Sequence, residues 1–287
     1  MILPILFFTL SISGYILLDE SRKRKEQFTR LSESIVELVQ TEFTQIDEFV
    51  NSLSVTNWIE KMMYSQTGLF DYNRFDPIEI RNYNQQLFVG TILNPFLISM
   101  DLILNEKNVV FSNGIYLSTL NDYLETTYDL RESKYGELKA RIGRYNEGAI
   151  IHPVKRFNDD RDTTLYAKTI RGKGDSVIRA TVLFTLNMEY ILSSANQIAN
   201  EKMEILLLSG NDLISGNESL WNGLQNDSLY STGNMDDSPK RTRINKAKYT
   251  MAANSVRSID IVLLDKHRSY LLRVYIIIGS SIFSLGV

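Results

Sequence analysis

Two hydrophobic periods alternate along this chain, and each change of period marks an element. Met1–Leu18 (MILPILFFTLSISGYILL) carries no charge. At about 1.5 Å per helical residue it just crosses a hydrocarbon core of about 30 Å. From Glu20 to Met63 the apolar residues Phe28, Leu31, Ile35, Leu38, Val39, Phe43, Ile46, Phe49, Val50 and Leu53 recur every three or four positions. That spacing keeps one apolar stripe on a helix, and no Pro or Gly interrupts it. The pattern predicts a span continued as a stalk helix, with the rest of the chain packed on the stripe.

Asp76-Pro77 then opens a helix expected to run to Leu93, with Asp as cap and Pro at its first position. Strands are predicted at Phe96–Leu104 and Val109–Ser112, around the turn Asn105–Asn108. Helical spacing returns over Ser118–Tyr128, with Thr119 and Asp122 at capping distance, and over Arg131–Ile142. A strand block follows at Ala149–Val154, Thr164–Ile170 and Ser176–Leu186. Asn187 caps a helix over Met188–Ala199. Met203–Leu208 and Leu213–Ser215 read as a second, shorter strand set. Gly216–Asn245 is polar with little periodicity. Ala247–Asn254 and Ser258–Leu264 close the domain as a strand pair, and a helix from Lys266 leads into Val274–Val287, again free of charge. Neighbouring strands with helices set apart imply an α+β fold with antiparallel sheets.

Composition narrows the function classes. The net charge is −3 with 23% charged residues, which gives no nucleic-acid surface and no disordered tail. Without cysteine there is no disulfide framework and no thiolate metal site. No A-x-A-like cleavage site follows the first apolar run, which favours an uncleaved anchor over a signal peptide or a buried core helix. The final apolar run is too short to span and reads as the opening of a second crossing. The sequence is thus read as a fragment, with a domain of about 255 residues between two membrane helices. Arg22, Lys23, Arg24 and Lys25 flank the first run on the domain side, where the positive-inside rule would put the cytoplasm. Long domains translocate largely regardless of charge, and the domain is placed outside.

The anchor and stalk of Met1–Met63, the strand pair Phe96–Ser112 and the block Gly148–Leu186 with its helix to Ala199 form one recognisable order. The turn-centred Glu204–Asn211 and the strand Ser258–Leu264 complete it. In this order the chain resembles a double-Cache (dCache) sensor domain of bacterial membrane receptors, most like those fused to AraC-type transcription regulators or histidine kinases. The resemblance implies a long N-terminal helix beside two PAS-like antiparallel-sheet modules, flanked by transmembrane helices. Residues 64–200 would form a membrane-distal module, 201–265 a proximal one, and 266–287 the exit helix and start of a second span. It implies a small extracellular ligand or a solute-binding protein as partner, no cofactor, a homodimer through the stalk, and DNA contact only through a cytoplasmic module absent from this sequence. The rival reading is a cell-surface structural or interaction domain without a small ligand.

Catalysis has little to stand on: there is no G-x-S-x-G and no H-E-x-x-H, and only two histidines. His152 reads first as a strand-end side chain at a sheet rim, and His267 as an interface-facing group beside Lys266 and Arg268. Gly172-Lys173-Gly174 fits a hairpin better than a phosphate loop. The basic run Lys240, Arg241, Arg243, Lys246 and Lys248 reads as a solvated loop, with anionic lipid or cell-wall polymer as the minor alternative. A membrane-anchored hydrolase therefore ranks last, and no metal site is expected.

Nine of the 15 tyrosines fall between Tyr64 and Tyr166, a chemistry suited to small-molecule pockets although each one singly is more often core. The family pattern implies ligand contacts at Tyr116, Arg131, Tyr135, His152, Lys155, Tyr166 and Lys168. Tyr166 and Lys168, two apart on one strand, face the same side. Lys168 or Arg131 suits a ligand carboxylate or phosphate. Arg131–Tyr135 lacks the tryptophan of the amino-acid-sensing members, so a sugar-like or peptide ligand, or a solute-binding protein, fits as well.

Overall fold

The computed structural model describes the backbone of residues 2–64, 77–92, 94–112, 117–129, 133–142, 144, 147–157, 162–172, 177–199, 203–225, 239–245 and 247–266. The chain opens with the 53-residue helix α1, Ile2–Ser54, and continues into α2, Asn57–Tyr64. The expected stalk thus breaks at Val55–Thr56. Ser52, Ser54 and Thr56 turn their hydroxyls onto the carbonyls of Phe49, Asn51 and Ser52, a local competition with the helix that loosens its end. Among the described residues no helix is long and apolar enough to cross a membrane. The side chains of residues 1–10, most of the first expected span, lie outside those described, as do residues 267–287 with the exit helix. Lys266 itself ends a strand rather than starting that helix.

Helix α3 covers Pro77–Ile92. The strands β1 (Leu97–Leu104), β2 (Val109–Ser112) and β3 (Leu117–Thr119) follow. Then come the helices α4 (Leu120–Thr127) and α5 (Ser133–Ile142) and the strands β4 (Ala149–Lys155), β5 (Asp162–Arg171) and β6 (Ile178–Leu186). Thr119 caps α4 by accepting from the Asp122 amide, at the spacing read from the sequence. The six strands form one antiparallel sheet in the order β3-β2-β1-β6-β5-β4. Helix α6, Met188–Ile198, is capped by Asn187 as expected.

The second set is β7 (Glu204–Ser209), β8 (Asp212–Ser215), α7 (Glu218–Gln225), β9 (Lys240–Ile244), β10 (Ala247–Val256) and β11 (Ile259–Lys266). Its five strands pair antiparallel in the order β8-β7-β11-β10-β9. Two elements fall inside the stretch read as polar and aperiodic. Helix α7 buries Leu220, Trp221 and Leu224. Strand β9 turns Thr242 and Ile244 inward, so the basic run is in part a strand edge rather than a loop. Both are short, and their apolar faces show only against a partner surface.

Helix α1 organises the packing. Phe28, Ile35, Val39, Phe43, Ile46, Val50 and Leu53 are buried, while Leu31, Leu38 and Phe49 are half-buried at the stripe's flank. One continuous core joins this stripe to the inner faces of both sheets, through Met100, Val182 and Phe184 of the first and Leu207, Ile261 and Leu263 of the second. Each such side chain contributes about 1.5–3 kcal/mol by leaving water. The outer face of the six-stranded sheet has its own core under α4 and α5, and that of the five-stranded sheet another under α7.

Candidate functional site

Two clusters of buried polar chemistry lie on opposite faces of the six-stranded sheet. On the outer face, β1 carries Asp101 in an otherwise apolar run, and only 1% of it is exposed. The Tyr123 hydroxyl of α4 donates to Asp101 Oδ2 at 2.6 Å, and the Tyr128 hydroxyl lies 3.2 Å from that of Tyr123. Because Tyr123 gives its proton to Asp101, its oxygen is left to accept from Tyr128. Burial pushes both phenols up, with the neighbouring Tyr128 and Asp101 adding to the effect on Tyr123, so both remain neutral donors. Two residues along the neighbouring strand from Leu183, Thr181 donates to the Ile142 carbonyl at 2.9 Å and to Asn105 Oδ1 at 3.0 Å, tying the end of α5 to the sheet.

On the inner face the sheet meets α1 through Asp47. Lys168 Nζ of β5 stands 2.7 Å from Asp47 Oδ1, and the Tyr166 hydroxyl donates to the same oxygen at 2.9 Å. Arg257, in the turn between β10 and β11, donates to Asp47 Oδ2 at 2.6 Å. One carboxylate on the long helix therefore binds both sheets. Burial pushes the Tyr166 phenol up, and the bond to Asp47 pushes it further, which keeps it a donor. Its ring lies 5.0 Å from that of Phe43.

Two backbone features serve this junction. At Gly148 φ is +144°, and a Cβ there would sit 2.1 Å from the Tyr166 hydroxyl. Only glycine leaves Tyr166 room to reach Asp47. Arg257 and Ser258 both take positive φ, 52° and 68°, in a two-residue hairpin turn. Such turns favour Asn-Gly. Here turn propensity yields to an arginine whose guanidinium reaches α1.

His152 lies inside β4 rather than at its end, and it is buried. Its Nδ1 is 2.9 Å from the Thr164 hydroxyl, and it is hydrogen-bonded to the backbone of Leu213 in β8. It therefore joins the edges of the two sheets. Burial holds its pKa below the usual histidine value, against the pull of Leu213, Asp162 and Asp212.

Of the residues singled out from sequence, the structure brings Tyr166 and Lys168 together on α1 and places His152 at the sheet–sheet edge. Lys155 is exposed at the end of β4, its carbonyl accepting from the Asp129 amide. Tyr135 is in α5, with its side chain outside the described residues, and Tyr116 and Arg131 also lie outside them. Asp47, Asp101 and Arg257 were missed. The legible signal for one of them is a lone acid in an apolar run, Asp101 within FLISMDLIL; Asp47, directly followed by Glu48, carries no such mark.

No family model matches the chain, and no curated protein matches it in sequence. Its fold does match solved structures. The extracellular domain of a protein described as a histidine kinase, rpHK1S-Z16, superposes with a TM-score of 0.59 at 13% identity, covering 89% of this chain and 98% of its own. The periplasmic sensory domain of the Campylobacter jejuni chemoreceptor Tlp1 gives 0.54 at 12% identity, over 87% and 96%. The ligand-binding domain of the Pseudomonas aeruginosa PAO1 amino-acid chemoreceptor PctC, solved with GABA, gives 0.52 at 8%, over 84% and 100%. The chain thus has the fold of extracytoplasmic sensory domains, in line with the double-Cache resemblance of its element order.

Proposed function

We propose that this chain is the ligand-sensing region of a bacterial transmembrane receptor, anchored by its N-terminal apolar run with its body outside the cytoplasm. The observation that carries the reading is the fold shared with sensory domains over most of the chain. A small ligand, or a solute-binding protein, engages the six-stranded module of residues 64–200. The five-stranded module of residues 201–265 lies nearer the membrane. Tyr116, Arg131, Tyr135 and Lys155 serve as ligand contacts, and the outer-face group of Asp101, Tyr123 and Tyr128 supplies the buried polar chemistry of the same module. Tyr166, Lys168 and His152 act from the inner face, where a shift of β5 is felt by α1 through Asp47 and by the second sheet through Arg257 and Leu213. Small displacements of α1 against the sheets then cross the membrane to an AraC-type DNA-binding or histidine-kinase output. In a homodimer the flank of Leu31, Leu38 and Phe49 meets the partner, since the centre of the stripe packs on the chain's own sheets.

The test is calorimetry of the full chain in detergent against amino acids, amines, sugars and short peptides, with Asp101→Asn as the site variant. Saturable binding that the variant loses supports the reading. Absence of any binder, together with a body shielded from protease added to whole cells, overturns it.

A further inference from the structure

Helix α1 carries a second carboxylate into the core, one turn before Asp47. Glu42 is 8% exposed. The two acids sit on different flanks of the helix, since five helical residues turn about 140° round the axis. Asp47 is held between cations, with Lys168 at 2.7 Å and Arg257 at 2.6 Å. Among the described residues the partners of Glu42 are neutral. The Tyr190 hydroxyl of α6 donates to its Oε1 at 3.5 Å, and the Asn94 side chain is hydrogen-bonded to it from the link between α3 and β1. That link is pinned to the start of α6. Asn187 donates through its backbone amide to the Phe96 carbonyl at 2.8 Å and through its side chain to the Pro95 carbonyl at 3.3 Å. Phe96 meets Phe43, the neighbour of Glu42, edge to face at 5.4 Å. Two segments, α6 and the link, therefore close on one carboxylate of α1.

Neither segment brings a cation. Helix α6, strand β1 and residues 87–96 contain no lysine or arginine. Within α1 the nearest in sequence is Arg30, twelve residues or about 18 Å away. On the α3 side the cations are Arg74, before the helix, and Arg81, eleven residues or about 16 Å short of its end at Ile92. After α6 the first is Lys202, beyond an end that lies eight helical residues, about 12 Å, past Tyr190. The charged residues closest to Glu42 and Tyr190 in sequence are acids: Glu37 and Glu48 of α1 and Glu189 of α6, all exposed, and the paired Asp47. A carboxylate buried without a cation is costly to keep ionised. Burial pushes the Glu42 carboxyl up from the usual glutamate range, against the pull of Tyr190 and Asn94.

We propose that Glu42 is a proton-operated joint between α1 and α6, which gives this sensory domain a response to acidity. In acid surroundings the carboxylate takes one proton from solvent and loses its charge, and α6 with the Asn94–Phe96 link closes more firmly on the long helix. Acidity is a stimulus beyond the small ligand proposed above, and only the onward passage of the change along α1 rests on that reading. The folded value of Glu42 lies above the ordinary 4.5, so the folded chain binds the proton first. The stability this gives is fully present below the ordinary value and is lost as pH rises through the folded one. The sign is opposite to that of His152, at the other junction of the two modules.

The test follows backbone hydrogen exchange of the full chain in detergent from about pH 7.5 to about pH 4.5, a range that spans carboxylate and histidine titration. The intrinsic pH dependence of amide exchange is divided out, and α6 is read against β10 and β11. Protection of α6 should rise as pH falls, by up to about tenfold per pH unit, the limit for one proton. Glu42→Gln, uncharged at every pH, should hold α6 near its acid level of protection throughout. Tyr190→Phe removes a donor to the charged form and should move the rise to higher pH. A flat profile for α6 in the unaltered chain overturns the joint, and so does a rise that survives Glu42→Gln. A rise shared equally by β10 and β11 also overturns it. Ligand binding is not read, so failure of the joint leaves the ligand reading standing, and absence of a ligand leaves the joint standing. The profile of the unaltered chain is decisive even where a variant folds poorly.

Discussion

The six-stranded and five-stranded sheets lean on the same helix through one core, yet their outer faces differ in kind. Under α4 and α5 the first sheet buries Asp101, Thr181 and Thr185 among its apolar residues and meets two phenols. Under α7 the second sheet packs Leu206, Leu208, Ile244, Met251, Ala253, Val262 and Leu264 against Trp221, a mainly apolar contact whose buried polar side chains on the sheet are Thr242 and Tyr249. Satisfied polar groups inside a core add little net stability, and they are costly when one partner is lost. A face that keeps them is organised for something besides holding together. The apolar face of the second sheet suits a body that moves or holds as a unit. The difference accords with the division proposed above, recognition in the first module and mechanical coupling in the second.

The largest expected effect falls where the two sheets meet. Asp47→Ala leaves Lys168, 14% exposed in its side chain, beside Tyr166 without its acceptor. A loss of about 3 kcal/mol in denaturant unfolding is expected. Asp47→Leu combined with Lys168→Met should recover most of that stability while ending any ligand-induced change at the Arg257 turn. Equal transmission in the double variant would show that the sheets communicate by another route.

Gly148→Ala comes next, at about 2 kcal/mol, because its Cβ collides with the Tyr166 hydroxyl in a backbone conformation that side chains rarely adopt. Tyr166 fluorescence and the unfolding midpoint report it. An alanine tolerated without loss would mean that Tyr166 is free to leave Asp47.

A reciprocal swap tests the outer faces directly. Thr181→Val removes bonds to Asn105 and Ile142 and should cost about 1 kcal/mol. Val262→Thr places a hydroxyl in the hydrocarbon face of the second sheet and should cost about 1–3 kcal/mol. Should both faces accept the polar group equally well, the contrast between them is lost.

The smallest effect is a pH dependence at the sheet–sheet edge. The pKa of folded His152 is depressed, so the unfolded chain binds a proton first. Its contribution to stability is present above the ordinary histidine pKa of about 6.5 and is lost as pH falls through the lower folded value. Thermal unfolding between neutral and mildly acid pH should show this decline, and His152→Asn should flatten it. An unchanged slope in the variant would assign the decline to other groups.

Most elements were legible in the sequence because they carry their own signal. The stripe of α1, the turns bounding β1 and β2, the Asn187 cap and the succession of helices and strands along the chain are local patterns, and period and capping chemistry act over a few residues. The sequence also determined the α+β class and the spacing of two strand sets around one long helix. The break at Val55–Thr56, helix α7 and strand β9 were hidden because short elements gain their stability from the surface they cover. Only the tertiary structure decided that Tyr166 and Lys168 meet a carboxylate 119 and 121 positions away, at Asp47, and that Arg257 closes on it from the other sheet. Charge pairing and burial depend on distance in space, and the spacing of residues along a chain leaves that distance open until the sheets have packed on the helix.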